Sequence, residues 1–228
     1  MKIAALIPAR GGSKRLPGKN IMPFCGQPLI RWSINFALRS GFDSVYVTTD
    51  DHAIAEESER SGAKVIQRPP HLSTDTSPTA DAAKHAFDII NGIGKIDWLC
   101  TLQPTNPLRP RDLVNNLIGK MKNIPVDASV MTVTRSYYKI GTTNADGLFT
   151  PAGYVPGQRS QDMTKFYYEN GLAYMTPSSL MSKGQLFGDN VYSVETEKFC
   201  DLDIDDIVDF RFGEMLFNEN KSEFEYLL

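Results

Sequence analysis

Ile3-Ala-Ala-Leu-Ile-Pro-Ala-Arg-Gly-Gly-Ser-Lys-Arg-Leu-Pro-Gly-Lys-Asn20 joins an unbroken apolar run to a loop of glycines and cations. Ile3 to Ile7 has no polar alternate position, as in a parallel strand buried on both faces, and Pro8 ends it. The loop from Pro8 to Asn20 holds Arg10, Lys14, Arg15 and Lys19 and no acid. Gly11, Gly12 and Gly18 permit positive φ and close approach of the backbone. A strand that feeds such a loop presents free N–H groups and cations together, the makeup of a phosphate cradle. Four cations suit a triphosphate, which carries about four negative charges at neutral pH by analogy with phosphate ionisation. A solvated basic loop would have the same composition. A Walker A loop would not: Ser13 stands where its first glycine belongs, and Asn20 where its Ser/Thr metal ligand belongs.

Outward from this loop, strand and helix patterns alternate. Pro28 opens a helical stretch with Ile30, Ile34, Ala37 and Leu38 on one face. Ser44 to Thr48 is the next strand, and Asp50 is placed to cap the helix after it. Lys64 to Ile66 is a short strand, and Ala83, Ala86, Phe87 and Ile90 share a helix face. Asp97 to Leu102 is a strand, Arg111 to Lys120 a helix, and Asp127 to Thr134 a further strand. This order predicts an α/β domain with an open, mostly parallel sheet covered by helices on both faces. Ligands bind such sheets beyond the carboxyl ends of the strands. That rule selects loops 8–20, 48–51, 67–79 and 103–109.

The pattern breaks after Thr134. Residues 135–169 are irregular and rich in Gly and Pro, and Asp146-Gly147 is a hairpin signal. They read as a β-rich excursion from a single domain spanning 1–228. Ala173 to Met175 and Val191 to Val194 return to the sheet, and Ile207 to Phe217 forms the last helix. No internal repeat is present.

Composition bounds the function. With 228 residues, 41% of them apolar and 22% charged, the chain can bury a core, which excludes disorder as its dominant state. A net charge of −3 argues against a general nucleic-acid binder and confines any anion site to a local cluster. No apolar run approaches the ~20 residues of a membrane span. Cys25, Cys100 and Cys200 are odd in number and widely spaced, neither a disulfide framework nor a zinc pattern. The apolar stretch at the N-terminus is too short for a secretory leader. A reduced, cytoplasmic protein with no membrane partner is the expectation.

Asp201-Leu-Asp-Ile-Asp-Asp206 alternates acid and aliphatic residues. In an extended chain Asp201, Asp203 and Asp205 share one face while Leu202 and Ile204 point to the core. Alternate Cα atoms lie ~6.6 Å apart, so the carboxylates can converge on one Mg²⁺. Asp205 and Asp206 are equally placed to cap the helix beginning near Ile207.

Six motifs then stand in order: the loop Ala9–Asn20, Thr49-Asp50, Arg68-Pro-Pro-His-Leu-Ser-Thr-Asp-Thr76, Leu102-Gln-Pro-Thr-Asn-Pro-Leu-Arg109, Glu169-Asn-Gly171 and Asp203-Ile-Asp205. Together they make the chain resemble the CMP-sialic acid synthetases (acylneuraminate cytidylyltransferases) over almost its whole length. The resemblance implies a Rossmann-like three-layer fold of the nucleotide-diphospho-sugar transferase type. It also implies a reaction: CTP binds with Mg²⁺, the anomeric hydroxyl of a nine-carbon α-keto acid sugar attacks the α-phosphate, and pyrophosphate leaves.

The same resemblance implies roles. Arg10, Gly11, Ser13, Lys14 and Lys19 would hold the triphosphate, with Arg10 and Lys19 catalytic. Asn20, Arg68, Ser77 and Thr79 would surround cytosine and ribose. Gln103, Lys139, Arg159, Asn170 and Tyr174 would lie at the sugar end. Asp203 and Asp205 would hold Mg²⁺ and serve catalysis. The excursion 135–169 would pack on a second subunit and close its sugar pocket, giving a homodimer with composite sites. In Arg159-Ser-Gln-Asp-Met-Thr164, Ser160 replaces a cation expected near the sugar. Sialic or legionaminic acid is the favoured sugar. Pseudaminic acid, whose cytidylyltransferases commonly carry such a Ser-Gln-Asp stretch, is the alternative. A catalytically silent nucleotide-binding homologue is a third possibility, against which Lys19, Gln103, Asp203 and Asp205 argue. His52, His71 and His85 are scattered without partners at ligand spacing, and no catalytic role is expected of them.

Overall fold

The structure is a computed structural model that describes residues 1–228. Strand β1 (Ile3–Pro8) leads through the cationic loop and a tight turn at Lys19–Ile21 to a small hairpin of β2 (Pro23–Phe24) and β3 (Gln27–Pro28). Helix α1 (Leu29–Arg39), β4 (Ser44–Thr49), α2 (His52–Arg60), β5 (Lys64–Gln67), α3 (Thr79–Ile93), β6 (Trp98–Thr101), α4 (Leu113–Met121) and β7 (Ser129–Ser136) follow. An outlying hairpin of β8 (Gly141–Thr143) and β9 (Phe149–Pro151) comes next. The chain then re-enters the sheet as β10 (Phe166–Pro177) and ends with α5 (Ser178–Met181), β11 (Val191–Glu195), α6 (Ile207–Glu219) and α7 (Lys221–Phe224).

The seven-stranded sheet has the order β11-β7-β10-β6-β1-β4-β5. β10 runs antiparallel to both of its neighbours, and every other pairing in the sheet is parallel. The mostly parallel three-layer expectation therefore holds, with β10 as the exception. Alternation along β1 shows the layers directly. Ile3, Ala5 and Ile7 enter the larger core with α1, α2, α4 and α6, whereas Ala4 and Leu6 enter a smaller one with α3 and α5. Trp32 anchors the larger core: its Nε1 donates to the Phe24 carbonyl at 3.0 Å, and its ring meets Phe24 and Phe217 edge-on.

Several local expectations need correction. Leu38 is 48% exposed, because α1 buries Leu29, Ile30, Ser33, Ile34 and Ala37 and turns Leu38 outward. The cap of α2 is Asp51, whose Oδ1 accepts from Ile54 N at 2.9 Å. Asp50 instead accepts from Gly11 N at 3.1 Å, joining the β4 exit to the cationic loop. Strand β10 is longer than Ala173–Met175, because its outer half pairs with β7 at Phe166–Glu169 ahead of a bulge at 170–173. The excursion thus leaves the sheet after Ser136 and rejoins it at Phe166. Its hairpin tip forms as expected, with Gly147 at φ 81° and Asn144 Oδ1 accepting from Asp146 N and Leu148 N.

Candidate active site

Two adjoining cavities open beyond the carboxyl ends of β1, β5 and β6, sharing Pro8, Arg10, Asp75 and Gln103. The larger, about 450 Å³, is lined by Arg10, Ser13, Lys14, Arg15, Lys19, Asn20, Gln103, Thr105, Asp203 and Asp205, with only Pro8 and Pro104 as apolar neighbours beside Asp75. The smaller, about 290 Å³, is walled by Arg68, Thr74, Ser77, Thr79 and their neighbours. Loops 8–20, 67–79 and 103–109 all contribute walls, as the strand-end rule predicts, and loop 48–51 braces the first of them through Asp50.

The cationic loop is shaped from below. A Cβ on Gly11 would sit 2.6 Å from Asp51 Oδ2, so glycine is required where the loop crosses the start of α2. Gly18 turns at φ 70° into the tight turn that carries Lys19 and Asn20. Lys19 is nearly covered, at 12% exposure, and its Nζ donates to the Ile204 carbonyl at 2.7 Å while facing Asp205 Oδ1 at 3.3 Å. Asn20 is buried. Its Nδ2 donates to the Arg10 carbonyl at 3.1 Å, and its Oδ1 has no partner. That leaves a buried acceptor in the cavity wall free for a ligand donor. Arg15 pairs with Asp205 at 2.6 Å.

The acidic run divides in two. Leu202 and Ile204 are buried, as the alternation predicts. Asp203 and Asp205 face the larger cavity. Asp203 is open to the cavity but packed by protein on its other sides, and this loss of solvation raises its pKa. The Asp205 charge adds to the effect, and Thr105 and Lys19 oppose it. Asp201 turns away: it accepts from the Tyr168 hydroxyl and from Lys198 Nζ at 3.1 Å. Asp206 forms a capping box with Asp209 at the start of α6. The capping expectation for this run therefore holds at Asp206, and the shared acidic face is limited to Asp203 and Asp205, because Asp201 is drawn away. Asp205 does not cap the helix.

At the inner end, Gln103 Nε2 donates to the Tyr174 hydroxyl at 3.2 Å, and that hydroxyl donates to Glu169. The Tyr174 ring meets Phe187 edge-on at 5.4 Å. Asn170 does not face either cavity. It is buried in the β10 bulge, with Nδ2 donating to Thr134 Oγ1 at 2.9 Å and to Thr196 Oγ1 at 2.8 Å. Arg68 is also buried, donating to the Thr48 carbonyl at 2.6 Å; burial, foremost, lowers its pKa. Ser77 Oγ donates to the His71 carbonyl at 3.1 Å, shaping its loop.

Lys139 and Arg159 stand apart, both within the excursion. Lys139 lies 5.8 Å over the Tyr154 ring, and Arg159 pairs with Asp162 at 2.7 Å. Neither lines either of these two cavities.

Sequence reasoning passed over two residues here. Asp75 bridges Arg10 and Lys14, and nothing marks it within a polar loop. Arg109, fully buried, donates to the carbonyls of Leu172 and Gln103 at 2.8 and 2.6 Å and to Ser33 Oγ at 2.8 Å. It ties the β6 exit to the β10 bulge and α1. Its only signal was its position closing the Gln103–Arg109 loop.

The chain is similar to known proteins along most of its length. A family profile described as "Cytidylyltransferase" matches residues 4–222. The chain is 34% identical to "Pseudaminic acid cytidylyltransferase" of Campylobacter jejuni, over 96% of this chain and 98% of that protein. It is 35% identical to "N-acylneuraminate cytidylyltransferase A" of Danio rerio, over 89% of this chain and 48% of that protein, so it spans about half the length of that relative. Among solved structures, CMP:2-keto-3-deoxy-manno-octonic acid synthetase complexed with CTP superposes with a TM-score of 0.72 at 18% identity, covering 96% of this chain and 100% of that one. At that identity the likeness is one of fold.

Proposed function

Because the chain belongs to the cytidylyltransferase family, we propose that its two joined cavities bind CTP and a nine-carbon α-keto acid sugar and transfer CMP to the sugar's anomeric hydroxyl. The chain is a nucleotidyltransferase. One observation carries the site assignment: Arg10, Lys14, Arg15, Lys19, Asp203 and Asp205 line a single cavity, with Asp205 paired to Arg15 and close to Lys19. Cations and acids gathered around one cavity suit a polyphosphate with its counterion.

In this reading Arg10, Ser13, Lys14 and Lys19 grip the triphosphate, and Gly11 lets the chain pass close to it. Arg68, Ser77 and Thr79 line the nucleoside side. The unpartnered Asn20 Oδ1, in the wall of the larger cavity, suits a hydrogen-bond donor on the ribose or cytosine where the nucleotide passes between the cavities. The anomeric hydroxyl gives up its proton to solvent as its oxygen bonds to the α-phosphorus, and the bond from that phosphorus to the β-phosphate bridge breaks, releasing pyrophosphate. The protein's part is to hold the two in line and to neutralise charge.

CTP-using cytidylyltransferases work with a divalent metal. The donors present fit Mg²⁺: Asp203 and Asp205 offer oxygen ligands to the larger cavity. Mg²⁺ takes one or two carboxylates and completes its shell with water and phosphate oxygens. When bound, it would offset charge on the triphosphate and on the leaving pyrophosphate.

Gln103 and Tyr174 form the sugar end within one protomer. Asn170 supports them by holding the bulge. Lys139 and Arg159 are assigned to the sugar pocket of a partner copy. The excursion carries exposed Tyr137, Tyr138, Ile140, Leu148, Phe149 and Val155, an apolar surface suited to a homodimer contact. Three free cysteines suit a cytoplasmic location, and no helix is long and apolar enough to cross a membrane.

N-acetylneuraminate or legionaminate is the main assignment for the sugar. Pseudaminic acid is a second reading, favoured by the match with the Campylobacter relative over nearly the full length of both chains. The deciding experiment measures pyrophosphate release with each of the four nucleoside triphosphates against neuraminic, legionaminic and pseudaminic acids. CTP with one of these sugars is the expected active pair. Turnover with another nucleotide alone, or with none of these sugars, would sink the assignment.

A further inference from the structure

Asp75 lies in Ser73-Thr-Asp-Thr76, within the loop between β5 and α3. One carboxylate oxygen stands 2.9 Å from Arg10 Nη1, and the other 2.5 Å from Lys14 Nζ. Lys14, foremost, and Arg10 hold this carboxyl below its ordinary pKa. Asp75 also belongs to the walls of both cavities. A single acid on the nucleoside-side loop therefore occupies two of the cations assigned to the triphosphate.

These pairs are of a different kind from the one at Lys19. The side chains of Lys14, Asp75 and Arg10 are 78%, 40% and 35% exposed. Exposed pairs of this sort are weak and exchange readily. Lys19 is covered and has a second bond to the Ile204 carbonyl, so it stays in place whatever Asp205 does. A polyphosphate that takes Arg10 and Lys14 must displace Asp75 and then tolerate its negative charge nearby.

We propose that Asp75 is an internal counter-ion that competes with phosphate oxygens for Arg10 and Lys14, weakening polyphosphate binding and speeding pyrophosphate release. It is a positioning residue: it acts through the two cations and makes no bond to the reacting atoms. The penalty falls on substrate and product alike. CTP keeps its hold through the nucleoside wall, but pyrophosphate has only the cations, and Asp75 reclaims two of them. The inference rests on the phosphate assignment of the larger cavity.

The test is calorimetric titration of the full-length protein with pyrophosphate and MgCl₂, for the wild type, Asp75→Asn, Asp75→Glu and Arg10→Ala. Asp75→Asn is expected to bind pyrophosphate about 5–10-fold tighter, as removal of a competitor for two exposed cations implies. Product inhibition by pyrophosphate should strengthen by the same factor. Asp75→Glu, which keeps the charge, should stay within about twofold of the wild type. Equal or weaker binding by Asp75→Asn, at unchanged thermal stability, would overturn the proposal. Arg10→Ala should lose most of the affinity. Undiminished binding by that variant would overturn the phosphate assignment itself, and the counter-ion role with it.

Discussion

Gln103 and Tyr174, 71 positions apart in the chain, are joined by a 3.2 Å hydrogen bond from the Gln103 amide to the Tyr174 hydroxyl. The hydroxyl passes its own proton toward Glu169, so it can accept only from the Gln103 Nε2 side. This fixes the Gln103 amide with Oε1 available as an acceptor. Tyr174→Phe would free the amide to rotate. The expected result is a sugar KM raised about tenfold, the worth of one lost hydrogen bond, with the KM for CTP within about twofold. Steady-state kinetics with each substrate varied in turn will show it. Equal effects on both would remove the positioning role.

Asp203 and Asp206 sit three residues apart and should fail differently. Asp203→Asn leaves the fold intact and removes half of the carboxylate pair, so turnover should fall at least about a hundredfold with the melting temperature unchanged. Asp206→Ala removes a capping box and should cost about 1 kcal/mol of stability while leaving kcat near the wild-type value. Parallel melting curves and pyrophosphate-release assays separate the two. Full activity of Asp203→Asn with unaltered Mg²⁺ dependence would overturn the metal assignment.

In the proposed homodimer, Lys139→Ala should raise the KM for the sugar more than that for CTP, because Lys139 lies outside both cavities of its own chain and is assigned to the partner copy's sugar pocket. Its contribution in trans can be read from mixed dimers. A Lys139→Ala chain paired with an Asp203→Asn chain should recover one working site, since each defect then falls in the same pocket. Absence of recovery in a verified mixed dimer would count against composite sites.

Burial pulls the Arg109 guanidinium down to about 10, so it keeps its charge at neutral pH without a carboxylate partner. Arg109→Met would leave the Leu172 and Gln103 carbonyls without their donor. At about 1–3 kcal/mol for each unpaired buried acceptor, the loss of stability should reach about 3 kcal/mol. Denaturant unfolding measures it. A loss below about 1 kcal/mol would show that water or a neighbour replaces the guanidinium.

Cys100 is fully buried, and burial, foremost, pushes its thiol up to about 12. The unfolded chain ionises this thiol near its ordinary value of 9.0, and the folded chain does not. Stability is therefore whole below pH 9 and declines as pH rises toward 12. Native protein at pH 8 should titrate no Cys100 with a thiol reagent until denaturant is added. Rapid native labelling of Cys100 would contradict the burial.

Strands β1, β4 and β6 were legible because they lie inside the sheet, where both faces are apolar and the pattern is continuous. The cationic loop was legible because its composition is local. Strand β10 was read only in part: its outer half, Phe166–Glu169, mixes exposed and half-buried residues and is registered by β7 rather than by its own pattern. The cap of α2 was misplaced by one residue. Asp50 and Asp51 are chemically equal in sequence, and only the path of the loop at Gly11 distinguishes them. The double nature of the acidic run had the same origin, since alternation places Asp201, Asp203 and Asp205 alike until Lys198 and Tyr168 draw Asp201 away.

Local order alone settled the layered α/β plan, the cationic, glycine-rich makeup of loop 8–20 and the pairing of buried aliphatics with acids at 201–206, since each depends on neighbours within a few residues along the chain. Folding in space settled which of those charges meet. Asp75 reaches Arg10 and Lys14, Asp205 reaches Lys19, and Gln103 reaches Tyr174 only because strands β10, β6, β1, β4 and β5 stand in that order in one sheet. Electrostatic and hydrogen-bond energies depend on distances of a few ångströms, and contacts between residues far apart in sequence have no such distance until the sheet sets it.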